Sequence, residues 1–558
     1  MISIGFNYSQ LHDSSACMAR DGEVLFAVAE ERLSRVKHDA RFPARAIQAC
    51  LEFAGVTLDQ VDHIVSGWPH PRVNFLHDWK CFALGKMPIT YLNMLNSARQ
   101  FASLMHQHGG RNRLAQQYGS VRAKFRYIPH HLAHAISAYS YSGFPEATVV
   151  ITDGHGGWEA TSIWLGKDGR LEPVFTIPFP NSLGLFYGEF TDFLGFQRNS
   201  DEWKVMGLAP YGEPGVNLRA FIDPEADPYR VEGRKLLVGV SGNGSGVAPL
   251  LGPARVPESD INDRHKNIAF AVQDACERAM MRVVQRAIEK THCRNLCLAG
   301  GVALNSKANG KILASGMVDR LFVQPAAGDD GVCLGAALAP LLDAGGKLPV
   351  RKMRHAYLGP ESSEAEIEKV VQTYKLRATR VANPAKTAAE LLAGGKILGW
   401  FQGRMEFGPR ALGSRSILAD PRDPEMNARV NNAVKFREWW RPFAPSLLAE
   451  VADQYLESST DSPFMILTAQ VKPAMRAVIP AVTHVDGSAR PQTVERDVNP
   501  LYWRLIHEFG QRTGVPVVMN TSFNLRGEPI VCTPTDAVRT FFSSGMDVLV
   551  MGSFLVEK

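Results

Sequence analysis

Two stretches of the chain repeat one pattern of apolar and polar positions. Both indicate a strand, a polar turn, a second strand and a hairpin. The segments of the first stretch are 3–7, 12–16, 20–22 and 24–28, and those of the second are 148–154, 162–165, 167–169 and 173–177. A duplicated β-rich unit followed by helical pattern predicts a two-lobed nucleotide-binding fold. The alternative is chance recurrence, since hairpins are common.

Helical periodicity is clearest in the middle of the chain. Apolar residues with helical spacing predict a long packed helix over residues 267–289, and a short strand over 295–298 leads to another helix. Residues 71–118 are helix-prone and are predicted to form an insertion over a site. The Gly- and Ser-rich residues 239–252 predict a surface loop.

A change of pattern near residues 345–360 separates two domains. Glycines, a basic run and a proline interrupt the helical pattern there, and a capping box of Ser363 and Glu366 opens a new helix. We therefore predict one domain over residues 1–352 and a second over residues 353–558.

The composition is that of a globular protein. The chain has 558 residues and is 45% hydrophobic, too long for a single core. A net charge of +5 favours anionic substrates such as nucleotides without requiring nucleic acid. No apolar run reaches the ~18 residues of a membrane span and the first residues lack a basic start, so we expect a cytoplasmic protein. The eight scattered cysteines are expected to be reduced and mostly buried.

A metal site is the first chemical candidate. His130 and His134 lie four residues apart in a helix-compatible context, which places both imidazoles on one helix face. The zinc-protease motif needs a glutamate after the first histidine, and His131 stands there, so a protease would lack its base. Asp153 and Asp329, at a strand end and in a tight turn, could complete a site for iron, zinc or manganese. The alternatives are a solvated helix face and ordinary turn-forming aspartates.

Two glycine-containing segments of the N-terminal domain suit a nucleotide. Gly300 and Gly301 fall between a strand and a helix, where glycine lets the backbone approach phosphate or ribose. The helix that opens after Asn305 supplies amide donors toward an anion. Lys204 and Gly207 add a cation and another close-approach glycine, although such a lysine is most often a surface residue.

The C-terminal domain gathers cations around glycine turns and aromatic residues. Arginine binds phosphate and carboxylate-like oxygens through its planar fork, and lysine binds them as a point charge. A nucleic-acid face is the rival interpretation because aromatics interleave with the cations, but the cations fall in Gly/Pro turns and not along a stripe. A strand over 515–519 ends in polar residues fit to bind a nucleotide. The candidates are Arg410, Arg415, Lys435, Arg441, Arg490, Asn520 and Ser522.

The chain resembles a known family in six ordered motifs, namely HDSSA, HHLAHA, ITDGHGG, EWKVMGLAPYG, LAGGVALN and AGDDG. These motifs closely resemble the NodU/CmcH family of O-carbamoyltransferases, over essentially the whole chain. The resemblance implies an α/β protein whose N-terminal domain is a two-lobed actin-like ATPase (ASKHA) domain of the threonylcarbamoyltransferase type. It implies a C-terminal α/β domain similar to threonylcarbamoyl-AMP synthase (YrdC-like).

The same resemblance implies roles for individual residues. His12 is the catalytic base beside the acceptor hydroxyl, and Lys435 and Arg441 are catalytic in the C-terminal domain. The ligands of Fe²⁺, or of another divalent first-row metal, are His130, His134, Asp153 and Asp329. Carbamoyl phosphate and ATP, with Mg²⁺, are bound by Arg410, Lys435, Arg441, Arg490, Asn520 and Ser522, with Arg415, Arg437 and Asn524 as further candidates.

The implied activity has two half-reactions. The C-terminal domain converts carbamoyl phosphate and ATP to carbamoyl-adenylate, and the N-terminal domain transfers the carbamoyl group to a hydroxyl of a small-molecule natural product or a glycan. Members of the family modify aminoglycosides, cephems, macrolactams and lipo-oligosaccharide signals, which points to antibiotic or other natural-product tailoring. We expect no nucleic-acid or membrane partner, and a homodimer is left open.

Three other classes remain open. A small-molecule kinase of the actin-like superfamily would leave the His/Asp cluster and the C-terminal domain unused. A tRNA threonylcarbamoyl transferase would share the metal site but normally lacks this fused C-terminal domain. A non-catalytic nucleic-acid-binding protein would show steeply salt-dependent binding and no metal content.

Overall fold

The chain folds into two compact units. The structure is a computed structural model. It describes residues 1–9, 12–86, 110–119, 121–240, 246–458 and 461–558. Unit 1 comprises Met1–Glu30 and His38–Met353, and unit 2 comprises Glu31–Lys37 and Arg354–Lys558. Of the predicted insertion over residues 71–118, residues 87–109 lie outside the described residues.

Unit 1 is built on two five-stranded sheets. The first contains β1 (Ile2–Asn7), β2 (Ser15–Arg20), β3 (Glu23–Ala29), β4 (His63–Ser66) and β5 (Lys124–Tyr127). The second contains β6 (Glu146–Gly156), β7 (Glu159–Lys167), β8 (Arg170–Pro178), β11 (Asn295–Ala299) and β12 (Arg320–Val323). Between β8 and β11 the chain forms a separate short hairpin of β9 (Ile222–Asp223) and β10 (Arg230–Val231).

The two sheets of unit 1 share one strand order. It is β3-β2-β1-β4-β5 in the first sheet and β8-β7-β6-β11-β12 in the second. In each sheet the first strand pairs antiparallel with the next strand of the chain and parallel with a strand that returns later. Ile4, for example, faces Met18 on one side and Ile64 on the other. The predicted α/β class with two duplicated lobes is confirmed.

Helices lie between and after these strands along the chain, and the first of them falls mostly within the segment of unit 2 described below. Those described between residues 30 and 338 are α1 (Glu30–Ser34), α2 (Ala44–Ala54), α3 (Pro71–Ala83), α4 (Gly110–Tyr118), α5 (His130–Ser142), α6 (Leu183–Phe193), α7 (Glu202–Leu208), α8 (Gly233–Val240), α9 (Ala248–Leu251), α10 (Asp263–Thr291), α11 (Ser306–Ala314) and α12 (Val332–Leu338). The predicted long helix is confirmed as α10, which begins after Asn262 because that side chain accepts from the backbone N of His265 at 3.2 Å. The prediction of a surface loop over residues 239–252 is wrong for the residues that form α9. Residues 241–245 of that stretch lie outside the described residues.

Small residues let α12 lie against both β1 and α5. A Cβ at Gly5 would lie 2.1 Å from the carbonyl oxygen of Cys333 on α12, and a Cβ at Gly335 would lie 1.8 Å from the carbonyl oxygen of Ala133 on α5. Any side chain at either position would separate the backbones. The close packing of α12 therefore brings the turn before it next to α5.

Unit 2 contains an eight-stranded mixed sheet. In chain order, its strands are β13 (Ala378–Arg380), β14 (Leu398–Phe401), β15 (Arg415–Ala419), β16 (Ala444–Leu448), β19 (Gln492–Val494), β20 (Val517–Ser522), β21 (Val548–Met551) and β22 (Phe554–Glu557). Between β16 and β19 the chain forms a separate short hairpin of β17 (Ala469–Gln470) and β18 (Ser488–Ala489). The order across the sheet is β13-β22-β21-β14-β15-β20-β16-β19. The predicted strand over 515–519 is observed two residues later, as β20.

Both faces of this sheet are covered. The helices are α13 (Glu364–Thr373), α14 (Pro384–Ala393), α15 (Met426–Val430), α16 (Ala452–Tyr455), α17 (Pro473–Arg476), α18 (Pro500–Thr513) and α19 (Pro534–Phe542). Successive strand residues alternate between two cores: Trp400 and Val518 pack with α14 and α18, whereas Phe401 and Met519 pack with α13 and α19. The capping box of Ser363 that opens α13 is confirmed.

A short N-terminal segment belongs to unit 2. Arg32 donates to the carbonyl oxygen of Gly408 at 3.2 Å, and Arg35 donates to the carbonyl oxygens of Ile530 (2.6 Å) and Pro529 (2.9 Å). The segment Glu31–Lys37 is therefore separated from the rest of residues 1–352, which the sequence assigns to one domain.

All eight cysteines are buried and free, as predicted. Among the helices that the structure describes, none combines the length and the apolar character needed to cross a bilayer.

Candidate functional site

His130 and His134 lie on one face of the first turns of α5. Their spacing brings the two Nε2 atoms to 3.1 Å, and both side chains are fully buried. Nδ1 of His130 lies 3.2 Å from the carbonyl oxygen of Gly67. Because a carbonyl only accepts, Nδ1 carries the proton and Nε2 is left with a lone pair for a ligand.

Asp153 and Asp329 complete a four-residue cluster with these histidines. Oδ2 of Asp153 lies 3.1 Å from Nε2 of His130 and 3.6 Å from Nε2 of His134, and Oδ1 of Asp329 lies 3.6 Å from Nε2 of His130. Asp153 comes from β6, and Asp329 from the 3₁₀ turn before α12. All four donor atoms lie within 4.8 Å of one another, and all four residues are buried.

The cluster fits a single bound cation. Ligand atoms about 2.1 Å from one ion are separated by about 3.0–3.4 Å, close to the distances seen here. Oδ2 of Asp329 and Nδ1 of His134 are buried and make no hydrogen bond within the described part of the chain. Two imidazoles with two carboxylates suit a first-row divalent metal. The cluster can therefore hold iron, zinc or manganese.

Without a cation, a proton occupies this cluster. Although burial lowers the pKa of His130, the charge of Asp329 and the hydrogen bond to Asp153 raise it to about 10. Burial raises the pKa of Asp153, but its hydrogen bonds to His130 and His134 dominate and lower it well below its usual range. A metal ion and this proton compete for one position, so acid weakens metal binding.

His131 is separate from the cluster. Its Nδ1 lies 2.8 Å from Oγ of Ser162 on β7, and burial lowers its pKa well below the usual value, so the ring is neutral. Oε2 of Glu159 lies 4.0 Å from the same nitrogen and has no hydrogen-bond partner among the described residues. Burial raises the pKa of Glu159 to about 7. Neither side chain supplies a protease base beside the His130 and His134 pair.

His12 lies in the turn after β1, with 27% of its side chain exposed. Although burial lowers the pKa of His12, a hydrogen bond to Asp13 and the charge of Asp329 raise it to about 10, with a further contribution from Asp153. Oγ of Ser15, at the start of β2, donates to the carbonyl oxygen of Asp330 at 2.8 Å, so the turn that carries His12 lies beside the turn that carries Asp329. A cation bound by the two carboxylates offsets their charge, which favours the neutral imidazole that a base requires.

Gly300 and Gly301 allow a close approach to β6. Gly300 has a φ of +91°, and a Cβ there would lie 2.3 Å from the carbonyl oxygen of Thr152. The backbone N of Gly301 donates to Oδ1 of Asp153 at 3.2 Å. Asn305 caps α11 through its Oδ1 and donates to Gln273 at 3.0 Å. This loop thus orients a ligand of the cluster, and its contact with a nucleotide stays a prediction.

Lys204 and Gly207 lie on α7. Lys204 is only 7% exposed, unlike a typical surface lysine, and its Nζ lies 3.0 Å from Oδ2 of Asp201. Oγ of Ser306 lies 3.7 Å from Sδ of Met206, so α7 lies beside the start of α11. The structure brings these residues and the Gly301 loop into one region.

Lys435 is the centre of a second cluster, in unit 2. It ends the π-helical turn Asn431–Lys435, a rare element found at many functional sites. Its Nζ donates to the carbonyl oxygens of Ser522 (2.5 Å) and Asn524 (3.1 Å). Burial lowers the pKa of Lys435 well below its usual value, and the charges of Arg437 and Arg441 lower it further.

Four arginines join Lys435 in what we call the five-cation cluster, made of Arg410, Lys435, Arg437, Arg441 and Arg490. Burial lowers the pKa of Arg410 to about 10. Burial and the charges of Arg410 and Arg441 lower the pKa of Arg490, and burial and the charge of Arg441 lower that of Arg437. Glu438 lies 3.3 Å from Arg441 and offsets part of this charge. Lys435 is buried and the four arginines are partly buried. Poorly solvated cations that repel one another favour a bound polyanion such as a polyphosphate.

Arg415 is held by the loop around it. It is fully buried, and its guanidinium lies 3.7 Å from the centroid of the Phe401 ring. Its Nη1 donates to the carbonyl oxygens of Gln402 (2.8 Å), Gly403 (3.0 Å) and Ser414 (3.1 Å). Because the backbone occupies Nη1, Arg415 holds the loop in place. Its Nε makes no hydrogen bond within the described part of the chain, and its contact with an anion stays a prediction.

Asn520 and Ser522 lie two residues apart on β20. Ser522 contacts Lys435, and its Oγ donates to Oδ1 of Asn524 at 2.7 Å. Asn520 is buried, and its Nδ2 donates to Oγ of Ser446 at 3.0 Å. Its Oδ1 has no partner among the described residues. Ser522 therefore belongs to the cluster, and Asn520 offers a buried acceptor beside it on the strand.

Two polar residues near His12 are absent from the predicted site. Asp13 accepts hydrogen bonds from Nδ1 of His12 (3.1 Å) and Nδ1 of His38 (2.8 Å). The adjacency of His12 and Asp13 is visible in the sequence and could have indicated the pair. His38 is 25 residues away from Asp13 in the chain, and no spacing rule connects them.

Comparisons with known proteins cover both units. The family profile described as Carbamoyltransferase N-terminus matches residues 3–338, and that described as Carbamoyltransferase C-terminus matches residues 389–558. An uncharacterised protein of Synechocystis sp. is 40% identical, over 98% of this chain and 95% of its own. Nodulation protein NolNO of Sinorhizobium fredii is 39% identical, over 98% of this chain and 79% of its own length.

A more distant relative and a solved structure complete the comparison. Nodulation protein U of Sinorhizobium fredii is 27% identical, over 92% of each chain. T. kodakarensis HypF aligns with 60% of this chain and 46% of its own, at 13% identity and a TM-score of 0.31.

Proposed function

Because the chain belongs to the carbamoyltransferase family that includes the nodulation proteins, and is a carbamoyltransferase, we propose that it is an ATP-dependent O-carbamoyltransferase with two half-reactions. Unit 2 makes carbamoyl-adenylate from carbamoyl phosphate and ATP. Unit 1 transfers the carbamoyl group to a hydroxyl of a small-molecule natural product or a glycan.

The observation that carries this proposal is the five-cation cluster. Carbamoyl phosphate and the triphosphate of ATP together present more negative charge than a single phosphate, and one buried lysine with four partly buried arginines matches that demand. Ser522 and Asn520 add neutral partners for the carbamoyl group. The cluster binds and orients the reactants, and Lys435 and Arg441 offset charge that develops on the phosphates.

The reaction in unit 2 consumes one water molecule. Water releases phosphate from carbamoyl phosphate, and the resulting carbamate forms a bond to the α-phosphorus of ATP as pyrophosphate leaves. A Mg²⁺ ion would accompany the triphosphate, as is usual for this substrate. The product is a mixed anhydride with AMP as its leaving group.

Transfer would follow near the His/Asp cluster of unit 1. The acceptor oxygen attacks the carbonyl carbon, its proton passes to Nε2 of His12, and the bond to the AMP oxygen breaks. His130, His134, Asp153 and Asp329 would hold a divalent cation, which supplies Lewis-acid stabilisation of negative charge on oxygen when bound. The amide of Gly301 orients Asp153 for that role.

The alternatives explain less of the molecule. A kinase of the actin-like superfamily uses neither the His/Asp cluster nor the five-cation cluster. A tRNA-modifying transferase uses only the first cluster. The match of both family profiles to this chain therefore favours a two-site carbamoyltransferase.

The test is incubation of the purified protein with ATP, carbamoyl phosphate and single alcohols. The panel is an aminoglycoside, a cephem alcohol, a macrolactam alcohol and a lipo-oligosaccharide, read by mass spectrometry. We expect one alcohol to gain a carbamoyl group only when both ATP and carbamoyl phosphate are present, with release of pyrophosphate. Transfer of a phosphoryl group from ATP, or carbamoylation without ATP, would contradict the proposal.

A further inference from the structure

The turn after β1 holds two histidines on one carboxylate. Nδ1 of His12 lies 3.1 Å from Oδ2 of Asp13, and Nδ1 of His38 lies 2.8 Å from Oδ1 of the same residue. Nε2 of His38 lies 2.9 Å from Oγ of Ser200. These four side chains form a continuous chain of hydrogen bonds within unit 1.

The chemistry of the carboxylate and the imidazoles decides which atom donates in each of these hydrogen bonds. Burial raises the pKa of Asp13, but the hydrogen bonds to His12 and His38 dominate and lower it, so Asp13 is ionised. A carboxylate only accepts hydrogen bonds, and both Nδ1 atoms therefore donate to it. A neutral imidazole carries one proton. With that proton on Nδ1, Nε2 of His12 keeps the lone pair that can accept a proton.

The backbone of Asp13 is fixed as well. Its φ is +51°, a left-handed value that aspartate adopts more readily than most residues. Asn7, buried at the end of β1, donates to the carbonyl oxygen of Asp13 at 2.6 Å. The next backbone N, of Ser14, donates to the carbonyl oxygen of Asp39 at 2.9 Å. A carboxylate on so constrained a turn orients a neighbouring ring without ordering a mobile side chain.

We propose that Asp13 is a positioning residue for carbamoyl transfer, which fixes the tautomer and ring orientation of His12, and that His38 holds Asp13 in turn. The inference rests on the proposed function of unit 1. It adds that His12 is the reacting end of a series of hydrogen bonds that runs from His38 through Asp13 to His12. In serine proteases, replacing the corresponding aspartate by asparagine leaves the geometry intact but lowers kcat by about 10⁴-fold.

Kinetics of Asp13→Asn give the first test, with the alcohol that the wild-type protein carbamoylates. We expect kcat for transfer to fall by about 10²–10⁴-fold, with little change in KM for the alcohol or in pyrophosphate release. His38→Gln should lower kcat less, by about 10-fold, because Asp13 keeps its bond to His12. Unchanged kcat in Asp13→Asn would overturn the proposal.

Asp168→Asn is the matched control. Asp168 has the same φ of +51° and is exposed in the turn between β7 and β8, so it reports the effect of the substitution on a left-handed backbone alone. We expect wild-type kcat from this variant. Metal content and Tm are measured for every variant, and a fall in kcat that only accompanies loss of metal or Tm would count against a positioning role.

A spectroscopic test does not depend on any acceptor. Protein with ¹⁵N-labelled histidine rings, loaded with diamagnetic Zn²⁺, gives long-range ¹H–¹⁵N spectra at alkaline pH in which His12 is assigned by its loss in His12→Gln. We expect the Nδ1–H tautomer in the wild type and its loss in Asp13→Asn. An Nε2–H tautomer in the wild type would overturn the proposal. If no alcohol is carbamoylated but the tautomer result holds, only the proposed function has failed.

Discussion

At the scale of single residues, the two clusters have opposite needs. Asp153 and Asp329 place two buried carboxylates against imidazoles, and that arrangement is stabilised by a cation. The five-cation cluster has the reverse problem, since burial and mutual repulsion lower the pKa of Lys435 and of its arginine neighbours. Each cluster is therefore organised for a charged ligand at some cost to the free energy of folding.

Glu159 gives a residue-scale prediction on stability. Burial raises its pKa to about 7 in the folded protein, above the ordinary value of about 4.5. Folded protein therefore holds this proton more tightly, and stability falls as pH rises from about 4.5 to about 7. We expect Glu159→Gln to be more stable than the wild type at pH 8.5, by at most about 3 kcal/mol, and equally stable at pH 4.5, as measured by Tm in calorimetry.

Glu172→Gln is the control for this measurement. Glu172 is exposed on β8, in the same sheet, and its substitution should leave Tm close to the wild-type value at both pH values. If Glu159→Gln has the same effect at pH 4.5 and pH 8.5, a titrating Glu159 does not explain it.

The sequence could predict proximity only for residues that are separated by a short, regular spacing. His130 and His134 share a helix face because helical geometry links positions four apart. The contact between Asp13 and His38 depends on a left-handed turn and on tertiary packing, and no local rule contains it. The carbonyl partners of Arg415 Nη1 are brought together only in the folded loop, so the sequence alone could not show them.

At the scale of elements, the packing of α12 against α5 controls the His/Asp cluster. Gly335→Ala would place a Cβ 1.8 Å from the carbonyl oxygen of Ala133, between the helix that carries His130 and the turn that carries Asp329. We expect lower metal content, measured by plasma mass spectrometry, and a loss of about 1–3 kcal/mol of stability.

Gly394→Ala is the comparison for this prediction. Its Cβ would lie 3.4 Å or more from its neighbours, at ordinary contact distance, and its φ of −81° suits alanine. Metal content should stay at the wild-type level. Full metal content in Gly335→Ala would show that α12 does not set the geometry of the cluster.

Elements with local signals could be predicted, and their arrangement could not. The α10 helix and the capping box of α13 follow from periodicity and cap residues within one segment. The order of the eight strands in unit 2 depends on pairings between segments far apart in the chain. The attachment of Glu31–Lys37 to unit 2 rests on arginine contacts with carbonyl oxygens that are distant in the chain. The local pattern of apolar and polar residues does not predict such contacts.

At the scale of the whole molecule, the two half-reactions should be separable by mutation. His12→Ala should lower carbamoyl transfer by at least about 100-fold and leave pyrophosphate release from ATP and carbamoyl phosphate largely intact. Lys435→Ala should block pyrophosphate release because the five-cation cluster loses its central charge. Supplied carbamoyl-adenylate should restore transfer in Lys435→Ala alone.

Two outcomes would contradict this division. Transfer at the wild-type rate in His12→Ala would remove the histidine from the reaction. If supplied carbamoyl-adenylate is inert with Lys435→Ala although active with the wild type, the two units do not carry separate half-reactions.

The shared strand order of the two lobes has a consequence for the origin of the candidate ligands. The turn after β1 carries His12 and Asp13, and the last part of β6, its counterpart, carries Asp153. The helix after β5 opens with His130, and the helix after its counterpart β12 opens just beyond Asp329. The shared topology therefore offers each of these positions twice. The first lobe supplies imidazoles and the second supplies carboxylates to the His/Asp cluster, so neither lobe alone contains the full set of candidate ligands.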